Sequence, residues 1–199
     1  MSYPKFFDAI ESIQVSDPLS KALGAFDDGM YAFCYLDVVK SAGHSCPTVA
    51  GAYLMTLEAL KFLYPHERAV RGNIKVAFEE DAKEGVAGVI ANVISQITGA
   101  TEQSGFKGLQ GKFARHSLME FNMPINASAR FTRTDTGKGV DVFYNPSSIV
   151  PNPDMQVIMQ KMQKGQANAD ELQKFGVLWQ ERVKRIFENK EQVIRIEEV

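Results

Sequence analysis

The stretch between Pro47 and Pro65, TVAGAYLMTLEALKFLY, constrains this chain more than any other. It is apolar over most of its length and bounded by proline at both ends. Proline is tolerated at the first helical position, where its missing N–H has no intrahelical partner to lose, but it cannot continue a helix. The pattern therefore predicts a long buried helix from Pro47 to about Tyr64. A second apolar segment, EGVAGVIANVISQITGA (84–100), predicts another helix, with Gly99 near its C-terminal end.

Strand signals surround these helices. GMYAFCYLDVV (29–39) is apolar on both faces and is predicted as an interior strand; GNIKVAFEED (72–81) is a second. ASARFTRTDTGKGVDVFYN (127–145) alternates on both arms around Asp135, Gly137 and Gly139, as a hairpin does. Residues 4–14 carry Phe6, Phe7, Ile10 and Ile13 at helical spacing and predict a docking helix. The expected class is α+β: a mixed or antiparallel sheet packed with two long apolar helices. Prolines gather in NPSSIVPNPD, and the residues after this linker read as helical until a short closing strand, VIRIEEV. The expected organisation is an α+β body over 1–150 and a helical appendage over 151–199. The appendage is too small to build a core alone and must dock on the body or on a second copy.

With 22 Lys+Arg against 24 Asp+Glu the net charge is -2, which leaves no electrostatic footprint for nucleic acid or an anionic membrane. Charges interrupt every apolar run before it reaches spanning length. The N-terminal residues lack a signal-peptide pattern, so a cytoplasmic protein is expected. Two cysteines do not make a disulfide framework and are expected as free thiols.

A chain with three histidines and two cysteines places one of each together, in SAGHSCPTVAGAY (41–53). Cys46 falls at the N-cap of the helix that begins at Pro47. There the helix dipole and unpaired backbone N–H groups favour the thiolate, which is both the nucleophile and the metal ligand. His44, in the loop just before, offers nitrogen toward the same region. One sulfur and one nitrogen suit zinc, with nickel or iron as other divalent metals of compatible chemistry. The same pair is half of a cysteine–histidine catalytic arrangement needing no metal, with Cys46 as nucleophile or redox thiol and His44 as its base. His44 as axial ligand to a haem-type tetrapyrrole is a third reading.

AGHSCPTVAGAYLMTLEAL resembles the H-G-H-x-C-P-G motif and the helix after it in the FmdE-like metal-binding proteins, the family of a formylmethanofuran dehydrogenase component. GVIANVISQITGAT resembles that family's helix ending in LTGCT. The resemblance implies an α+β core domain and a metal site in which His44 and Cys46 are the matching ligands. The chain departs from the family pattern at Ala42, Thr48 and Ala100, where the family has histidine, glycine and cysteine. No cysteine follows Cys46, so the appendage over 151–199 is not the C-terminal zinc finger that some relatives carry. The resemblance is to a divergent, stand-alone member.

Other residues are weaker candidates. His116, predicted on a strand after the glycine-rich SGFKGLQGKFARH, is a candidate for a further ligand; that loop also offers backbone amides to an anion. Tyr35, Asp37 and Lys40 are expected to line the pocket beside the motif. Cys34 is expected to pack in the core and His66 to be solvated. TDTG (134–137) occupies a hairpin turn, where Asp and Gly are the ordinary residues. Two ligands do not complete a zinc site, and the appendage carries apolar stripes through Met155, Ile158, Met159 and Met162 and through Phe175, Leu178, Trp179, Val183 and Phe187. Both observations lead to the expectation of a homodimer that binds a small molecule, its site near the boundary between the two copies.

Overall fold

The computed structural model describes residues 2–199. After a 3₁₀ turn at Lys5–Ala9 come β1 (Ile13–Ser16), α1 (Pro18–Ala22), β2 (Met30–Phe33), α2 (Tyr35–Ala42) and α3 (Pro47–Leu63). Then follow β3 (Ala69–Val70), β4 (Ile74–Ala77), α4 (Ala87–Thr98), β5 (Met119–Glu120), β6 (Ala129–Arg133) and β7 (Gly139–Tyr144). A 3₁₀ turn at Pro146–Ser148 leads into α5 (Pro153–Gln163), α6 (Ala169–Glu188), α7 (Lys190–Val193) and β8 (Ile194–Glu198).

The strands form two mixed sheets, ordered β2-β1-β3 and β5-β4-β6-β7-β8. The β1–β3 and β4–β5 pairs are parallel and the others antiparallel. The fold is α+β, as the sequence predicts.

Helix α3 is the axis of the core. Val49, Ala50, Ala52, Tyr53, Met55 and Ala59 are fully buried, because α3 is packed against α2, α4, α6 and strands β6, β7 and β8. Each large apolar side chain buried this way contributes roughly 1.5–3 kcal/mol. Small residues set how closely these layers approach: a Cβ on Gly51 would overlap the edge of the Tyr144 ring of β7. Helix α4 ends at Gly99, whose left-handed φ of 76° closes it, and the hairpin β6–β7 turns through TDTG as expected.

Two predicted elements are corrected. Residues 29–39 are not one strand. β2 stops at Phe33 and α2 begins at Tyr35. The cause is local: Asp37 Oδ2 accepts from the Cys34 backbone N–H (3.0 Å) and from its thiol (3.1 Å), a capping-box arrangement that starts a helix. Cys34 is therefore an N-cap, half-buried rather than a core strand residue. Residues 4–14 form one 3₁₀ turn and then enter β1, with no docking helix. Ile13 and Val15 alternate into the core, and β1 is held between β2 and β3.

The segment after residue 150 packs on the rest. Val183 and Ile186 of α6 are fully buried, Met155 and Ile158 of α5 are buried, and Lys190 pairs with Glu58 of α3 at 2.8 Å. β8 then pairs with β7 from Val140 to Tyr144 and forms the edge of the larger sheet. Among the described residues no helix is long and apolar enough to cross a membrane.

Candidate functional site

The His44–Cys46 loop joins two helices. α2 ends at Gly43, left-handed at φ 76°, and α3 starts with Cys46 as N-cap and Pro47 at its first position. The Cys46 sulfur accepts from the Val49 backbone N–H at 3.4 Å, one of the donors that every helix N-terminus leaves without an intrahelical partner. The thiol is half-buried.

His44 is exposed, and its Nδ1 lies 3.0 Å from the Ala42 carbonyl oxygen. A carbonyl only accepts, so Nδ1 carries a proton, and in the neutral ring Nε2 presents a lone pair. Metal-bound histidines are commonly oriented in this manner, with the second nitrogen donating to a carbonyl or carboxylate. His44, Ser41 and Ala42 form one wall of a hollow of about 450 Å³ whose other wall is Val89, Asn92, Val93, Ser95 and Gln96 of α4. Cys46 lies outside these walls, and among the described residues no hydrogen bond joins His44 to Cys46.

The loop is clamped from beneath. Trp179 Nε1 donates to the Ser45 carbonyl at 2.9 Å and Gln180 Nε2 to the same oxygen at 3.1 Å. The hydroxyls of Ser45 and Tyr35 are hydrogen-bonded at 2.9 Å, and Tyr144 donates to the Pro47 carbonyl at 2.6 Å. Burial pushes both tyrosine hydroxyls well above the usual phenol range, so they remain protonated donors. Ser45 itself is buried between two exposed or half-exposed neighbours. These framing residues escaped sequence reasoning. The one available signal was the single tryptophan, whose indole N–H needs a partner when buried.

Of the other candidates, Tyr35 reaches the loop through Ser45, and the rest are engaged or exposed elsewhere. Tyr35 is fully buried beneath it rather than lining a pocket. The Asp37 carboxylate is occupied by Cys34, and its carbonyl accepts from Gln96 Nε2 at 3.2 Å, which ties α2 to α4. Lys40 is exposed in the last turn of α2. His116 is not on a strand: it is half-buried in a turn ahead of β5, with Nδ1 3.0 Å from Ser117 Oγ. His66 is exposed in the turn after α3. The Cys34 thiol is pushed up by burial and by the Asp37 carboxylate beside it. Among the described residues no group of three or more His, Cys, Asp or Glu side chains stands ready around one metal position. The donor chemistry of His44 and Cys46 fits a thiophilic divalent metal, but one chain supplies only this pair.

The fold is an α+β core with a histidine–thiol motif at the start of its central helix. The chain belongs to the FmdE family: the family described as FmdE, Molybdenum formylmethanofuran dehydrogenase operon, matches residues 42–195, from the motif loop to the last strand. A comparison with curated proteins finds no significant match.

Proposed function

We propose that this protein is a metal-binding member of the FmdE family that holds a divalent transition metal, zinc in the first instance, through His44 Nε2 and the Cys46 thiolate. The observation that carries this reading is the Nδ1–Ala42 contact, which leaves Nε2 as the free lone pair two residues from a thiol at a helix N-terminus. A bound metal would supply Lewis acidity. The chain's own residues hold the two donors, fix the loop through Ser45 and offer the polar groups of Ser41, Asn92, Ser95 and Gln96 to a small molecule in the adjoining hollow.

Two protein ligands are fewer than the three or four a zinc site takes, so the set is completed by water, by that small molecule or by a second copy of the chain. Exposed apolar side chains on α5 and α6 (Val157, Met159, Met162, Leu172 and Val177) support a homodimer. No observation favours the tetrapyrrole. The metal-free cysteine–histidine pair lacks the hydrogen bond between nucleophile and base that such catalysis uses.

The deciding measurement is metal content of the purified protein and of His44→Ala and Cys46→Ala. Stoichiometric metal in the wild type, and its loss in both variants with the circular dichroism spectrum unchanged, is the expected result. Wild-type metal content in both variants would overturn the assignment.

A further inference from the structure

A second concentration of chemistry lies at the C-terminal end of α4, where residues 71–73 meet the glycine-rich loop. Asp17 is buried and caps α1, its Oδ1 accepting from the N–H groups of Leu19 and Ser20. The same carboxylate takes Arg115 Nη2 at 2.6 Å, Arg71 Nη1 at 2.8 Å and the Tyr31 hydroxyl at 3.0 Å. Two guanidinium groups therefore share one carboxylate, and the cluster carries one uncompensated positive charge. Charge withdrawn from water is costly unless it is paired.

The two arginines are not equally satisfied. Arg71 also donates through Nε to the Ile97 carbonyl and through Nη2 to the Gln96 carbonyl. Arg115 is only 7 % exposed, yet its Nη1 is buried with no hydrogen-bond partner. Burial holds this guanidinium below its ordinary pKa, and the Asp17 charge opposes that only in part. What Nη1 meets is glycine: a Cβ on Gly72 would overlap it, and one on Gly99 would stand 3.2 Å away.

Gly72 is also part of the wall of a hollow of about 480 Å³, together with Pro18, Arg71, Asn73, Lys112, Phe113 and Thr134. Lys112 makes no ion pair among the described residues. Its neighbour Phe113 is held at φ 63°, a left-handed conformation that bulky residues avoid, and Gln110 and Ser117 are left-handed as well. Strain of this kind persists where the surroundings over-determine it, and it clusters at ligand-holding loops.

We propose that this hollow binds a small organic anion. Its oxyanion group sits beside Lys112 and the Arg71 guanidinium, both in the wall, with the Arg115 charge behind Gly72, and its body rests on Phe113 and Pro18. The hollow is several times larger than a lone phosphate or carboxylate group, so the group belongs to a larger molecule. This site does not depend on the His44–Cys46 reading.

Inorganic phosphate and succinate are the probes, titrated into the full-length protein by calorimetry with chloride-matched ionic strength. Saturable binding of at least one is expected, and phosphate alone or succinate alone identifies the oxyanion class. Lys112→Ala, an exposed change that leaves the cluster intact, is expected to weaken it about tenfold, the scale of one charge-assisted contact. Gly72→Ala, whose methyl would push the Arg115 guanidinium out of place, is expected to weaken it, while His44→Ala is expected to bind as the wild type does. Absence of saturable binding for both probes, or unchanged affinity in Lys112→Ala, would overturn the proposal.

Discussion

Trp179 on α6 donates its indole N–H to the carbonyl oxygen of Ser45, 134 residues earlier and midway between His44 and Cys46. Gln180 shares the same acceptor. The geometry of the motif loop is thereby set from the C-terminal part of the chain.

Removing that donor has a defined cost. Trp179→Phe keeps most of the apolar bulk and strands one acceptor, which Gln180 still serves. A stability loss of about 1 kcal/mol is expected, read as a lower urea midpoint at unchanged slope. The double change Trp179→Phe with Gln180→Leu leaves the Ser45 carbonyl without either partner and is expected to lose more than the sum of the two single changes.

Gly51→Ala tests how tightly β7 lies on α3. The added methyl would overlap the Tyr144 ring, and Tyr144 is fixed by its bond to the Pro47 carbonyl. Overpacking at a site that cannot relax costs roughly 1–3 kcal/mol, although alanine is the better helix former. Thermal unfolding at a lower temperature checks it; an unchanged or higher midpoint would show the interface to be loose.

Asp17 gives a pH dependence of known sign. Burial pushes its carboxyl up. The N–H of Ser20, the Arg115 charge, the Tyr31 hydroxyl and Arg71 outweigh that and hold it below the usual carboxylate range. A folded-state pKa below the unfolded value of about 3.9 means the stabilisation is present above that value and disappears as pH falls through the folded one. Asp17→Asn is expected to lose roughly 3–5 kcal/mol at neutral pH, because the buried Arg115 and the half-buried Arg71 lose their counter-charge. Denaturation midpoints between about pH 2 and pH 7 are expected to fall on the acid side less steeply for the variant than for the wild type.

Cys34 is expected to be a slow thiol. Burial and the Asp37 carboxylate raise it, and the thiolate is the reactive form. Peptide mapping after brief iodoacetamide treatment near neutral pH is expected to find little label at Cys34. Asp37→Asn removes the neighbouring charge and is expected to increase that label.

The homodimer makes a simple claim on mass. Light scattering at micromolar concentration is expected to give about twice the chain mass of 22.1 kDa. Replacing Val177, exposed at 63 % on α6, by Asp is expected to shift the population toward monomer. A mass near the single chain for the wild type would leave the site to be built from one chain.

Elements whose signals are local were legible in the sequence. α3 is fixed by its flanking prolines and apolar length, α4 by its closing Gly99 and the β6–β7 hairpin by its alternation. α2 was not, because Tyr, Val and Phe around Cys34 carry strand propensity and the deciding contact is one carboxylate three residues on. At the site, His44 and Cys46 stood out by rarity. Their supports did not: Ser45 is an ordinary loop serine until Trp179 and Tyr35 reach it. The Asp17 cluster was equally hidden. Its partners lie 54 and 98 residues away, and no periodicity announces a pairing across that distance.

Because the chain has a single tryptophan, emission excited at wavelengths that tyrosine does not absorb comes from one address, and that address is a hydrogen bond away from the motif. A metal ion seated at the 44–46 loop, a small molecule in the hollow beside His44, or a release of α6 from Ser45 would each alter the polarity or quenching around the indole. The protein thus contains its own optical gauge of loop occupancy, readable without a label in dilute solution.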